Sequence, residues 1–212
     1  MTVAERYKAV LEVFASEMPE PQTELHYADP FQLLVAVILS AQCTDKRINQ
    51  ITPALFSRFP SAHAMAMADA DEIYEYISSV SYPNNKAKAL AGMARRLEED
   101  FGGEVPSTRE ELESLPGVGR KTASVMLSVV FGQPAMAVDT HVFRVAERIG
   151  LTTGSKNPLT TEQTLLRYIP ADQVGKAHHW LILHGRYICK ARNPLCGECP
   201  VSHSCRYFSK QK

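Results

Sequence analysis

The chain has 212 residues, 45% of them hydrophobic, enough for one large or two small packed domains. Its 23 Lys and Arg are matched by 23 Asp and Glu, which argues against a uniformly basic nucleic-acid domain. The longest apolar run, residues 33–39, is seven residues long. A membrane span needs about 18, so none is expected.

At the N-terminus Val3, Tyr7, Val10, Leu11 and Phe14 alternate at helical spacing with Glu5, Arg6 and Lys8. This is an amphipathic helix rather than a signal peptide, and a cytoplasmic protein is expected. The apolar run 33–39 ends in Ser40-Ala41-Gln42-Cys43-Thr44-Asp45. There Asp45 is expected to cap the next helix, and Cys43 to be a small buried residue. Asp69 is expected to cap a helix reaching about residue 79. After the loop Ser81-Tyr82-Pro83-Asn84, a helix is predicted from about Asn85 to Phe101. Leu90, Met93, Leu97 and Phe101 form its apolar stripe, and Gly102-Gly103 its stop. Across residues 61–114, acidic residues outnumber basic ones eleven to five, so this region is expected to face solvent.

The most informative stretch is LPGVGRKTA, residues 115–123. A short helix opens at Ser107 or Thr108, with Glu110 or Glu111 completing a capping box, and Pro116 stops it. Gly117 and Gly119 let the backbone turn where side chains would clash. A second helix is predicted over 120–131. Such a turn presents bare N–H groups at a helix N-terminus, an anion site suited to phosphate, although an ordinary helix–glycine–helix turn has the same pattern. Lys121, in the first turn of the second helix and next to Arg120, sits where the macrodipole and a neighbouring cation both lower a lysine pKa. A neutral amine is a nucleophile; the alternative is a lysine that binds phosphate as a point charge. The helix climbs about 15 Å at ~1.5 Å per residue, and the extended segment 135–139 can return most of that distance. Asp139 can therefore lie across from Lys121, 18 positions earlier. Asp139 also reads as the N-cap of a helix beginning at Thr140, a role that does not exclude the first.

Thr160 and Gln163 suggest a capping box for a helix that ends at Pro170, and another helix is predicted over 173–187. His178, His179 and His184 in the latter are expected to be core or phosphate-side residues rather than metal ligands. Trp180, Leu181 and Leu183 are expected to pack. No alternating strand pattern appears, so the predicted class is all-α.

Cys189, Cys196, Cys199 and Cys205 follow with the spacing C-x6-C-x2-C-x5-C. Four thiols so close together in a chain of this kind indicate a metal site, because cytosolic disulfides are rare. Thiolate chemistry alone leaves zinc and a [4Fe–4S] cluster both open. Residues 176–212 hold seven Lys or Arg (Lys212 among them) against Glu198 alone, a fair electrostatic footprint for phosphate. Lys190 and Arg192 stand inside the first cysteine loop.

Three motifs in this order, LPGVGRKTA, VDTH and the four cysteines, resemble the endonuclease III family of DNA glycosylase/abasic-site lyases. The resemblance runs from about Glu24 through HHWLILHGRYIC to Cys205. It implies a bifunctional base-excision-repair enzyme that removes damaged, chiefly oxidised, pyrimidines and cleaves the abasic site by β-elimination. It implies Lys121 and Asp139 as the catalytic pair and a [4Fe–4S] cluster on Cys189, Cys196, Cys199 and Cys205. The backbone of damaged double-stranded DNA would be held by Gly117, Gly119, Arg120, Lys190 and Arg192. A six-helix domain, residues 23–133, would hold the helix-hairpin-helix, and 1–22 with 134–212 the cluster domain. DNA would enter a cleft between them, with Lys121 and Asp139 on opposite walls. A monomer associated with the nucleoid, without a membrane partner, is expected.

By the same resemblance Gln42 fills the gap left by a flipped base, and Asp45 is a weaker candidate for that pocket. A second wedge comes from a loop that in many relatives reads Gly-Leu-aromatic. Here Tyr82 stands in place of that Leu, either stacking on the orphaned base or packing beneath the loop. Three other functions fit parts of the pattern. A monofunctional adenine or mismatch glycosylase of the same superfamily would need a Glu near Ala36 and would lack Lys121. A non-catalytic helix-hairpin-helix DNA-binding protein would leave the Lys/Asp pair unused. A zinc-stabilised structural protein would leave LPGVGRKTA unused.

Overall fold

The computed structural model describes residues 1–210; Lys212, counted in the basic C-terminal run, lies outside the described residues. Among the described residues there is no strand, and the all-α class holds. The helices are α1 (Val3–Glu17), α2 (Pro30–Ser40), α3 (Asp45–Arg58), α4 (Ala62–Ala66), α5 (Ala70–Ile77), α6 (Pro83–Phe101), α7 (Arg109–Ser114), α8 (Arg120–Val129), α9 (Thr140–Ile149), α10 (Pro158–Tyr168), α11 (Val174–Tyr187) and α12 (Arg206–Ser209). Single 3-10 turns occupy Ala171–Gln173 and Ser202–Ser204.

Thr23–Phe131 forms one compact unit. Its centre is α2, in which Phe31 and residues 33–39 are all buried. A helix that is apolar on every face needs neighbours all round, and α3, α6 and α8 supply them. The Asp29 carboxylate accepts the Gln32 N–H at 2.8 Å, and Pro30 occupies the first helical position, so the start of α2 is fixed locally. Helix α6 packs on α4 and α5 and ends at Gly102, left-handed at φ 61°.

Met1–Gln22 and the chain from Gly132 onward form the other unit. Tyr7, Val10 and Phe14 of α1 join Val142, Val145, Ala146 and Ile149 of α9 and Trp180 and Leu181 of α11 in its core. The Trp180 indole N–H donates to the Met18 carbonyl at 2.7 Å, and Arg6 Nε donates to that of Ser204 at 2.8 Å. The N-terminal helix is thereby bound to α11 and to the segment around Ser204.

Several expected boundaries move, each for a local reason. Thr44, not Asp45, caps α3: its backbone is extended and its hydroxyl accepts the Arg47 N–H at 3.2 Å. Asp45 is the first helical residue, where a negative charge suits the dipole. Helix α6 begins at Pro83, two residues early, because proline's fixed φ suits the first helical position. Asn157 caps α10 in place of Thr160, accepting the Thr160 N–H at 2.9 Å, with Pro158 following; the helix ends at Tyr168. Helix α8 ends at Val129 rather than 131. Cys43 is half-buried rather than buried, and it is hydrogen-bonded.

Candidate active site

Helix α7 starts at its N-cap Thr108, whose hydroxyl accepts the Glu111 N–H at 3.3 Å and donates to the Glu111 carboxylate at 2.6 Å. The chain then turns over residues 115–118, closed by the Val118 N–H on the Leu115 carbonyl at 3.1 Å. Leu115 and Val118 are buried and anchor the turn. Gly117 is left-handed at φ 80°, and a Cβ there would stand 2.9 Å from the Ala89 Cβ. Glycine is required on both counts. Gly119 differs from expectation. Its backbone is extended and a Cβ on it would meet nothing within 4 Å, so no clash selects glycine. Its bareness instead leaves open space in front of the α8 N-terminus.

Arg120 and Lys121 are the first two residues of α8, and both are exposed. The helix behind them is anchored, with residues 123–128 all buried. Arg109 of α7 donates to the Ser124 hydroxyl at 3.1 Å, which ties the two helices of the hairpin together. Lys121 is therefore a solvent-accessible amine on the first turn of a rigidly held helix.

After α8 the chain turns at Gly132 (φ 61°), and residues 135–138, outside any regular element, are buried in succession. This fixes Asp139 at the N-cap of α9, where Oδ1 accepts the Val142 N–H at 2.8 Å. Asp139 is half-buried. It is held within the N- plus C-terminal unit, and Lys121 within the other.

The two wedge candidates share an unusual backbone. Gln42 (φ 57°) and Tyr82 (φ 55°) are two of the three non-glycine residues with positive φ among the described residues. Gln42 is exposed, and Tyr82 is 63% exposed, so the alternative of a tyrosine packed beneath its loop is excluded. The sequence reading missed Lys86, which is buried to 7% exposure in α6. Its ammonium donates to the carbonyls of Leu39 (2.8 Å) and Ala41 (2.6 Å) and to the Cys43 sulfur (3.8 Å). Burial lowers the Lys86 pKa, against the pull of Cys43. Burial alone would raise the Cys43 thiol, but the Ser81 N–H and hydroxyl together with the Lys86 charge bring it below its usual value. The signal for Lys86 was its place on the apolar stripe with Leu90, Met93 and Leu97.

Cys189, Cys196, Cys199 and Cys205 line one recess together with His184. Burial and the neighbouring thiols push Cys199 up to about 11, and the same causes raise Cys196. Four sulfurs that repel one another's charge suit a cationic guest. Among the described residues, no three His, Cys, Asp or Glu side chains are grouped to hold one metal ion. Four thiols lining one recess are the donor set of a zinc ion or of an iron–sulfur cluster. The loop is tied to α9: Arg148 donates to the Cys189 sulfur (3.7 Å) and to the carbonyls of Lys190 (2.6 Å) and Ala191 (3.0 Å), and Arg144 to the carbonyl of Cys189 (3.2 Å). Lys190 and Arg192 are exposed on it. Of the three histidines, His178 and His184 are buried in the core and His179 Nδ1 lies 3.0 Å from the Gly175 carbonyl. Burial holds His184 down to about 4, hence neutral, with Nε2 3.7 Å from the Cys199 sulfur.

Residues 35–171 match the model of the HhH-GPD superfamily base excision DNA repair protein, and residues 189–205 that of the iron-sulfur binding domain of endonuclease III. The second match begins and ends on the outer two of the four cysteines, and the chain carries a [4Fe–4S] cluster. The chain is 47% identical to endonuclease III of Rickettsia felis, over 94% of this chain and 93% of that one. It is 46% identical to endonuclease III of Escherichia coli K12, over 91% and 90% respectively. A solved structure of a trapped endonuclease III–DNA covalent intermediate, an estranged-adenine complex, superposes with a TM-score of 0.94 at 41% identity, covering 100% of this chain and 99% of that one. The hairpin, the thiol recess and these matches agree: the chain belongs to the endonuclease III family of the HhH-GPD superfamily of base excision DNA repair proteins.

Proposed function

We propose that the protein is a bifunctional DNA glycosylase and abasic-site lyase that excises damaged, chiefly oxidised, pyrimidines from duplex DNA. The observation that carries this reading is an exposed lysine, Lys121, on the first turn of α8 behind an open glycine cap, in a chain of this family. A relative caught in a covalent intermediate with DNA supports it. The alternatives each leave one of these features without a purpose.

In this mechanism the hairpin turn holds a backbone phosphate on the α8 N–H groups, with Arg120 beside it. Lys190 and Arg192 hold other phosphates. The target nucleotide leaves the stack. The neutral Lys121 amine attacks C1′, and the C1′–N bond breaks with its electron pair going to the departing base. The sugar ring opens, the nitrogen loses its proton, and a Schiff base links Lys121 to C1′. Loss of a C2′ proton then expels the 3′ phosphate, which cuts the strand 3′ to the lesion. Asp139 stabilises the positive charge that develops on the sugar. Gln42 and Tyr82 enter the vacated stack. The thiolates of Cys189, Cys196, Cys199 and Cys205 would hold the cluster, which supplies metal–thiolate cross-links that fix the loop carrying Lys190 and Arg192. The enzyme acts as a monomer in the cytoplasm, on the nucleoid.

Borohydride trapping on abasic-site duplex tests substrate class, chemistry and nucleophile together. The wild type is expected to give a covalent protein–DNA adduct, and Lys121→Gln none. An undiminished adduct with Lys121→Gln would place the nucleophile elsewhere. Binding of abasic DNA without an adduct or a strand break in the wild type would make the protein a non-catalytic binder.

A further inference from the structure

We propose that Lys86 is a positioning residue that clamps Gln42 and Tyr82 into one rigid two-pronged wedge, through which Tyr82 sets the preference for the base opposite the lesion. The inference rests on the base-flipping reading above and adds to it the part that makes the wedge stiff.

The first observation is where the Lys86 charge goes. A lysine at 7% exposure has given up its water, and its ammonium donates to Leu39 in the last turn of α2 and to Ala41 and Cys43, the two neighbours of Gln42. The Leu39 and Ala41 carbonyls are at the C-terminal end of α2, where a cation is favoured by the dipole and by the unpaired carbonyls of a last helical turn. Lys86 sits in the first turn of α6, four residues after Tyr82, and its own N–H donates to the Tyr82 carbonyl at 3.1 Å. One residue therefore holds the Gln42 turn with its side chain and the Tyr82 loop with its backbone.

The second observation is a parallel strap. The Ser81 hydroxyl donates to the Gln42 carbonyl at 2.8 Å, and the Ser81 N–H donates to the Cys43 sulfur at 3.2 Å. Each bond joins a neighbour of one prong to the other prong or its neighbour. The two loops are sewn together directly behind the exposed side chains.

The third observation is strain. Left-handed backbone is uncommon for residues with a Cβ and persists where the surroundings over-determine it. Gln42 and Tyr82 both adopt it, at φ 57° and 55°, on two loops joined by the same bonds. Pro83 fixes the backbone immediately after Tyr82. Neither a helix cap nor core packing asks for this at Tyr82, which makes no side-chain cap bond and is 63% exposed. A stiff prong gives up little freedom on entering the stack, so its stacking energy goes into binding. An aromatic prong meets the opposite base face to face, where strength depends on the identity of that base.

The test compares wild type, Lys86→Met, Ser81→Ala, Tyr82→Ala and the double variant Lys86→Met/Tyr82→Ala. The substrates are abasic-analogue duplexes with each of the four opposite bases, and 2-aminopurine opposite the lesion reports unstacking. Borohydride trapping by the wild type on abasic-site duplex is the control for the underlying chemistry. Lys86→Met is expected to lose roughly tenfold in affinity for lesion duplex, to flatten the opposite-base ratios towards those of Tyr82→Ala, and to weaken the 2-aminopurine signal. The double variant is expected to be no worse than the weaker single one, as for residues acting as one unit. Ser81→Ala removes the hydroxyl bond of the strap to the Gln42 carbonyl and leaves the backbone bond to Cys43, without touching a buried charge, so it serves where Lys86→Met does not fold, and it should flatten the same ratios in part. Opposite-base ratios unchanged in folded Lys86→Met and Ser81→Ala, with Tyr82→Ala altering them, would overturn the clamp and leave the wedge. Absence of a wild-type adduct on abasic-site duplex would instead overturn the reading on which it rests.

Discussion

At Asp139 one carboxylate oxygen accepts the Val142 N–H at 2.8 Å, which fixes the side chain before any substrate arrives. Capping and catalysis are compatible for that reason: the cap uses one oxygen and orients the other. Asparagine caps a helix about as well as aspartate, but it carries no charge. Asp139→Asn is therefore expected to melt within a few degrees of wild type and to bind lesion DNA with similar affinity. Base release in single-turnover assays should fall by about 10²-fold or more, the usual scale for removing one electrostatic stabiliser of a transition state. Equal losses of affinity and rate would leave Asp139 as a cap alone. The places of Lys121 and Asp139 at two helix starts were legible in the sequence, because helix starts are written in short-range residue choices. The bonds of Lys86 were not. Its position on an apolar stripe was visible, but the carbonyls that accept its charge lie more than 40 residues away and meet it only in the folded unit.

The helix-hairpin-helix element separates two glycines that look alike in the motif. Gly117 needs its left-handed φ of 80° and has the Ala89 Cβ 2.9 Å from where its own would be. Gly119 needs neither, and a Cβ there would project into open space. Gly117→Ala is expected to cost about 1–3 kcal/mol of stability, seen as a clear fall in Tm. Gly119→Ala should cost less than about 1 kcal/mol, while its methyl group obstructs the approach of a phosphate to the α8 N–H groups. Affinity for abasic-analogue duplex should therefore drop more in Gly119→Ala, and stability more in Gly117→Ala. The reverse pattern would move the phosphate off the α8 N-terminus. At this scale the sequence indicated the existence of the helices better than their ends. Glycine stops such as Gly102 were legible because one residue type does the job. The starts of α3 and α10 were not, because Thr44 and Asn157 each stand close to another residue able to cap. Which of two such residues is used depends on the backbone that tertiary packing imposes.

For the molecule as a whole, zero net charge and a DNA substrate are reconciled by where the cations are held. Residues 189–210 contribute only Val201 and Cys205 to the buried set, too little apolar surface to fix a 22-residue segment by packing. Arg144 and Arg148 tie its first three residues to α9, and its far end is held by the Arg6 bond to the Ser204 carbonyl, the Cys205 thiol on the Arg148 carbonyl and the Arg148 guanidinium over Tyr207. The stretch between these ties, residues 192–203, would be held by the cluster, so loss of the cluster loosens the loop that carries Arg192 and, next to it, Lys190. Cys199→Ser is expected to lose most of the iron and to open the loop to protease cleavage, while Cys43→Ser retains about four irons per chain. The two exposed cations should then leave the DNA interface together. The slope of log K against log salt should become shallower by about 1.8, at ~0.9 per phosphate released, in Cys199→Ser and in the cluster-loaded double variant Lys190→Ala/Arg192→Ala alike. A shallower slope in the double variant with no change in Cys199→Ser would separate the loop's cations from the cluster. Loss of iron from Cys43→Ser would overturn the assignment of the four ligands.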